Sequence, residues 1–236
     1  MTIEKTIKGL TLRGFTEPLK LGDFKLIAFD MDSTLLNIEC IDEIADAVGL
    51  KTEVAAITEA TMRGEIADFK TSLRRRVALL KGVTIQDMER VYAQRLQLNP
   101  GAIELVAACK KAGMKVLLVS GGFTFFADRI AGLLRIDYAK SNELEIINER
   151  LTGGLVNQSW GDICDGEEKR KTLLQTCTLL GIKPSQSIAV GDGANDLPMM
   201  DAAGLSVAYH AKPKVREQAM VAINEGGLDR LLEVLI

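Results

Sequence analysis

The sequence predicts an α/β protein: a three-layer, Rossmann-like parallel sheet with an inserted helical cap. Three observations carry this. Short apolar runs that end in an acid, a serine or a glycine recur at three distant places. Helical pattern flanks each of them, and residues 40 to 100 show helical pattern alone. Strands that alternate with helices form parallel sheets with both faces covered.

The first run, KLIAFD at residues 25–30, reads as a buried strand that delivers Asp30 at its carboxyl end. The second, KVLLVS at 115–120, ends at Ser120 and is followed by Gly121 and Gly122. The third, SIAVG at 187–191, stops beside Asp192 and Gly193. Helical patterns over 101–113, 123–134 and 166–180 lie between them. From Cys40 to Pro100 the segments IDEIADAVGL, KTEVAAITEATMRGE, FKTSLRRRVALLKG and TIQDMERVYAQRL are amphipathic at helical spacing, without a convincing strand. Because this block begins just after the Asp30 strand end, it is expected above the carboxyl edge of the sheet as a cap. The expected organisation is an N-terminal extension over 1–24, an α/β core over 25–39 and 101–236, and a cap over 40–100. Residues 137–160 alternate apolar and polar around Gly153 and Gly154, which reads as a strand plus a hairpin.

Composition narrows the function. The chain has 236 residues, 29 basic against 32 acidic, 47% hydrophobic and 26% charged. That suits a globular protein with a sizeable core and excludes disorder, collagen and disulfide scaffolds. A net charge of −3 offers no long-range field for nucleic acid or an anionic membrane, so local groups must hold an anionic substrate. Cys40, Cys109, Cys164 and Cys177 share no Cys-x-x-Cys spacing, and His210 is the single histidine, so no familiar zinc site arises. These thiols are expected to be reduced, in the cytoplasm. His210 reads as a structural loop residue. The first twenty residues interrupt every apolar run with charge, leaving no signal-peptide core, and no later run is long enough to span a bilayer. The residues before the first strand are expected to be too few to fold alone. Their segment TIKGLTLRGF, 6–15, is a candidate edge strand or homodimer contact.

Ligands of open parallel sheets bind beyond the carboxyl ends of the strands, where helix N-termini and loop amides point outward. Asp30, Ser120 and Asp192 all fall there. In Asp30-Met31-Asp32-Ser33-Thr34, two carboxylates at i and i+2 allow one to attack phosphorus and the other to exchange a proton. The same residues would also serve as an ordinary strand-to-helix turn with a cap. Ser120-Gly121-Gly122 supplies a hydroxyl and unhindered amides for phosphate oxygens, or simply a turn. Lys169 would offset negative charge between carboxylate and phosphate. By its neighbours Arg170 and Lys171 it reads instead as a solvated surface lysine. In Gly191-Asp192-Gly193-Ala194-Asn195-Asp196, Asp192 could complete an Mg²⁺ site with Asp30, with Asn195 and Asp196 orienting the loop, and this is the most specific signal. A glycine turn followed by an Asn cap is the plainer alternative.

Taken together, Asp30-x-Asp32-x-Thr34, the Ser120 strand end, Lys169 and Gly191-Asp192-Gly193-x-Asn195-Asp196 resemble the four motifs of the haloacid dehalogenase superfamily, in order and at plausible spacing. FDMDSTLLNIECIDEIA, SLRRRVALLKG, VSGGFTFFADRIA, VGDGANDLPMM and AYHAKPKVREQA are similar, more narrowly, to its phosphoserine-hydrolysing branch. The likeness spans about residues 25 to 220.

This resemblance implies hydrolysis of L-phosphoserine, the last step of serine biosynthesis, through phosphorylated Asp30. Asp32 would serve as proton donor and then acceptor, and Mg²⁺ would be held by Asp30, the Asp32 carbonyl and Asp192. It implies phosphate contacts from Ser120, Gly121, Lys169 and Asn195, with Thr34, Gly122 and Asp196 in support. Glu39 would pair with the substrate ammonium and Arg76 with its carboxylate, while Met62 and Phe69 close the site. The spacing of Met62 to Phe69 departs from the archaeal pattern by one residue. On residue type alone, Arg74 to Arg76 form a solvated charge run, Glu39 a helix-start carboxylate, and Met62 and Phe69 ordinary apolar packing. Two other functions stay open: a related phosphatase or phosphotransferase for another small phosphomonoester, and a non-catalytic module that responds to phosphorylation.

Overall fold

The computed structural model describes residues 4–15 and 19–236; residues 1–3 and 16–18 of the expected N-terminal extension lie outside the described residues. The chain opens with β1 (Glu4–Ile7) and β2 (Leu10–Arg13), an antiparallel hairpin. Then come β3 (Leu26–Phe29), an irregular turn over 31–35, and four helices in succession: α1 (Cys40–Ala47), α2 (Lys51–Met62), α3 (Phe69–Leu79) and α4 (Ile85–Gln94). The alternating part follows as α5 (Ala102–Lys111), β4 (Lys115–Phe123), α6 (Thr124–Leu134) and β5 (Tyr138–Asn142). A separate hairpin, β6 (Leu144–Ile147) and β7 (Arg150–Leu155), comes next. The chain finishes with α7 (Gly166–Leu179), β8 (Ser187–Gly191), α8 (Leu197–Ala202), β9 (Leu205–Tyr209), α9 (Pro213–Gln218) and β10 (Val221–Ile223).

The eight-stranded sheet runs β1-β2-β10-β9-β8-β3-β4-β5. All ladders from β10 to β5 are parallel, and β2 joins β10 antiparallel. The sheet is therefore not wholly parallel: TIKGLTLRGF folds into the hairpin and pairs the exposed flank of β10. Every residue of β3, β8 and β9 is buried, as continuous apolar runs between two covered faces require. Alternation sorts their side chains. Ile27 and Phe29 pack with Leu105 of α5 and Phe126 and Ile130 of α6; Leu26 and Ala28 pack with Leu173 of α7, Met199 of α8 and Val215 of α9. These are the three layers.

The four helices predicted between residues 40 and 100 are present, and two devices define their ends. Asp68 caps α3 through the Thr71 amide, and Thr84 with Asp87 forms a reciprocal capping box on α4. The β6–β7 hairpin binds this block through backbone: Gly82 N–H to Leu151 O and Leu151 N–H to Val83 O, both 2.8 Å, and Ile85 N–H to Glu149 O, 3.0 Å. The strand plus hairpin expected over 137–160 is there, but its reversal falls at Asn148 and Glu149, both with positive φ, and the glycine pair lies inside β7. Gly153 instead serves close approach, since a Cβ there would sit 3.1 Å from the Ala78 carbonyl oxygen. Strand β10 and helices α8 and α9 were not foreseen. Among the described residues, no helix is long and apolar enough to cross a membrane, and the four cysteines are free and buried.

Candidate active site

Strands β8, β3 and β4 are consecutive neighbours, so their carboxyl ends bring Asp192, Asp30 and Ser120 side by side. Just past β3, Asp30 and Asp32 each take extended backbone angles, and Ser33 then takes a left-handed φ of 56° that turns the chain back. Asp30 Oδ1 accepts from the Met31 amide and pairs with Lys169 Nζ, both at 2.7 Å, which fixes the carboxylate plane. Lys169 is wholly buried, not solvated as its neighbours suggest. Its ammonium also reaches Asp196 Oδ1 at 2.6 Å. Asp196 Oδ2 accepts the amides of Asp192 and Gly193 at 3.1 and 3.0 Å, so this acid secures both the lysine and the loop. The buried Thr34 hydroxyl donates to Asp192 Oδ1 at 3.3 Å.

One oxygen from each of Asp30, Asp192 and Asp196 lies within 4.8 Å of the others. Crowding and burial mark these acids. Burial, then the Asp196 carboxylate, raises Asp30 well above the usual carboxylate range, with Lys169 acting against them. Burial and Asp196 push Asp192 up to about 7; burial and Glu39 do the same for Asp32. Burial works against the Lys169 charge, but Asp196 and Asp30 outweigh it and hold the ammonium above its usual range. With one lysine among several acids, the site has surplus negative charge. Because both Asp196 oxygens are engaged, Asp30 and Asp192 are left as the carboxylates to face a cation. The all-oxygen donor set suits a hard divalent ion such as Mg²⁺.

Above these groups opens a cavity of about 810 Å³ between the sheet edge and the helical block. Its walls include Asp30, Asp32, Ser120, Gly121, Gly122, Asp192 and Asn195 from the sheet side, and Glu39, Met62, Phe69 and Arg76 from the helices. Lys169, Thr34 and Asp196 lie beneath it. Glu39, next to the start of α1, is exposed and accepts from the Ser33 hydroxyl at 2.6 Å. Arg76 is largely withdrawn from water, and its Nε is buried without a hydrogen-bond partner among the described residues. Burial lowers its guanidinium, with Asp42 and Glu39 opposing. Arg74 and Arg75 are exposed, so the arginine run splits: Arg74 pairs with Asp162 and Arg76 turns to the cavity. The Phe69 ring meets Gly121, where a Cβ would stand 2.8 Å from Cζ; at Gly122 a Cβ would stand 3.0 Å from Asp32 Oδ2. Met62 is 67% exposed at the rim. His210 lies outside this cavity, against the Gly226 carbonyl.

Sequence reasoning missed several lining residues. Asp42, Ser72 and Lys212 also face the cavity. For Asp42 a signal existed, since it stands one helical turn after Glu39. Lys212 and Ser72 offered none.

An acid pair just past the end of a central strand, a buried lysine held by two carboxylates and an inserted helical wall define a class of phosphate-handling hydrolase. The chain belongs to the haloacid dehalogenase-like hydrolase family, whose pattern matches residues 27–201. Among relatives, a phosphoserine phosphatase of Polaromonas sp. is 73% identical over 227 residues, 96% of each chain. A solved probable phosphoserine phosphatase from Vibrio cholerae, unliganded, is 44% identical with a TM-score of 0.82, over 95% of this chain and 68% of that one. A solved phospho-aspartyl intermediate analogue of phosphoserine phosphatase is 38% identical with the same TM-score, over 90% of this chain and 99% of the other.

Proposed function

We propose that this chain is an Mg²⁺-dependent phosphatase that hydrolyses L-phosphoserine through a phosphorylated Asp30. The observation that carries this reading is the single cavity in which Asp30, Asp32 and Asp192 face Glu39 and Arg76. One end of that cavity suits a phosphate, the other the ammonium and carboxylate of an amino acid. In this reading residues 25–39 and 101–236 are the catalytic core, 40–100 the cap and 1–24 an N-terminal extension. The similarity to phosphoserine phosphatases across nearly the whole chain supports the substrate.

Asp30 attacks phosphorus while the ester P–O bond breaks, and Asp32 gives its proton to the departing serine oxygen. Asp32 then takes a proton from water, the resulting hydroxide attacks the aspartyl phosphate, and its P–O bond breaks to release phosphate and restore Asp30. An acid held near 7 suits both directions of that exchange. Ser120, the Gly121 amide, Lys169 and Asn195 bind the phosphate oxygens; Lys169 offsets charge between the two anions. Asp30, the Asp32 carbonyl and Asp192 would hold Mg²⁺, which supplies charge neutralisation to the phosphate. Thr34, Gly122 and Asp196 keep those groups in place. Glu39 takes the ammonium, Arg76 the carboxylate in bidentate fashion, and Met62 and Phe69 exclude water.

The reaction is the last step of serine biosynthesis, carried out in the cytoplasm on a free small molecule; the reduced cysteines and the small net charge support this setting. The candidate homodimer contact, TIKGLTLRGF, lies in the β1–β2 hairpin at one edge of the sheet. Phosphate release from phosphoserine, measured with magnesium and then with excess chelator, tests the proposal. Turnover that survives complete removal of divalent ions, or a preference for phosphate esters without an amino-acid head, refutes it.

A further inference from the structure

Strands β4 and β5 lose register at the serine-glycine segment. Val119 pairs with Lys140 and Phe123 with Asn142, so Ser120, Gly121 and Gly122 stand opposite Ser141 alone. Such a bulge removes backbone groups from the ladder, and a buried carbonyl left this way needs another donor. Asn142, only 2% exposed, provides one. Its Nδ2 donates to the Gly121 carbonyl at 2.8 Å, and its Oδ1 accepts the Cys164 amide at 2.8 Å. At the other end of the same peptide unit, the Gly122 N–H donates to Ser120 Oγ at 2.9 Å. One peptide plane is thus held at its carbonyl by Asn142 and at its N–H by Ser120.

This has a consequence for the hydroxyl. Because Ser120 Oγ already accepts a hydrogen bond, its own hydrogen is free to be donated, and Ser120 lines the cavity beside Asp30. Cys164 precedes Asp165, the N-cap of α7, whose first turns carry Lys169. We propose that Asn142 is a positioning residue for the phosphate. Through the Gly121–Gly122 peptide it aims the Ser120 hydroxyl, and through Cys164 it sets the separation between that hydroxyl and the Lys169 helix. It does not touch substrate. The proposal rests on the reading of Ser120, Gly121 and Lys169 as the phosphate-binding groups.

Inorganic phosphate is the probe: its inhibition constant against phosphoserine is measured together with kcat and the thermal midpoint. Asn142→Asp keeps the shape and the acceptor for Cys164, but presents an oxygen to the Gly121 carbonyl; Asn142→Ala removes both bonds. Lys140→Met is the comparison, because the Lys140–Glu168 pair, at 2.5 Å, ties the same strand to the same helix without reaching the bulge. Asn142→Asp should lower kcat about tenfold and raise the phosphate inhibition constant about tenfold, the scale of one hydrogen bond to an oriented group, while Lys140→Met changes neither. A folded Asn142→Asp protein with unaltered kcat and inhibition constant overturns the proposal. An equal loss in Lys140→Met also overturns it, since any loosening of β5 would then suffice. If neither Asn142 variant folds, the residue serves folding and the proposal falls. Absence of phosphate inhibition in the unaltered protein would instead refute the phosphate-site reading beneath it.

Discussion

At the carboxyl edge of the sheet Lys169 and Asp196 satisfy one another and grip Asp30, whereas the cavity's buried polar atoms without a partner among the described residues are Asp32 Oδ1 on the proton-exchanging acid and, across the cavity, Arg76 Nε on α3 and Asp42 Oδ1 on α1. In the proposed reading the two walls face different parts of the substrate. Groups that meet the same phosphate in every turnover gain from being fixed beforehand, because no reorganisation is then needed as charge develops. Groups that identify the rest of the molecule gain from being left incomplete. A substrate that supplies the missing partner is favoured, and an analogue that lacks it leaves a buried charge unsatisfied.

Damage to the fixed wall should cost more than damage to the helical one. Asp30→Asn should lower kcat by at least ~10⁴-fold with the fold intact, the scale of losing a covalent nucleophile; circular dichroism alongside a phosphate-release assay checks both halves. On the helical side Arg76→Ala should reduce kcat/KM for phosphoserine on the order of 10–100-fold, the worth of a charged hydrogen-bonded contact. Phosphoethanolamine, which has no carboxylate, should be turned over with little change. Equal losses on both esters would show that Arg76 shapes the wall without reading the carboxylate.

The acids of the sheet edge also link stability to pH. Asp32 and Asp192 are raised to about 7 when folded, against about 3.9 unfolded, so the folded chain binds protons that the unfolded chain releases. Metal-free protein should therefore lose stability as pH rises between those values. Magnesium, which competes with those protons, should raise the melting temperature more at pH 8 than at pH 5. A rise of equal size at both would place the ion elsewhere. The smallest effect lies far from the cavity. Partial burial raises Asp137, but Lys115, the Val116 amide and Lys110 outweigh it and hold the carboxylate low. A depressed acid contributes above its unfolded pKa and loses its contribution as pH falls through the folded one. Asp137→Asn should thus cost about 1–2 kcal/mol at pH 7 in denaturant melts, with the deficit closing below about pH 4.

What could be read in advance follows from how local each signal is. The runs ending at Asp30, Ser120 and Gly191 were legible because burial on both faces demands unbroken apolar stretches, and the four helices because their stripes repeat at helical spacing. Lys169 was not legible locally. Arg170 and Lys171 beside it are indeed exposed, and only the topology that brings Asp30 and Asp196 to the same point makes a buried ammonium tolerable. The left-handed Ser33 and the reversal at Asn148–Glu149 escaped notice because neither uses glycine, the residue that usually marks such backbone. Asn142 carries no local signal, because its role depends on a register slip in a neighbour that no local pattern records.

Since Asp192, Asp30 and Ser120 stand at the carboxyl ends of three adjacent strands, their mutual spacing is inherited from the hydrogen-bonded pitch of the sheet, roughly 4.8 Å per step. Such a pitch hardly varies from one protein to the next. In the proposed reading the helical insertion can therefore be recut for a new head group without retuning the reaction, because the ruler that spaces the reacting atoms belongs to the backbone.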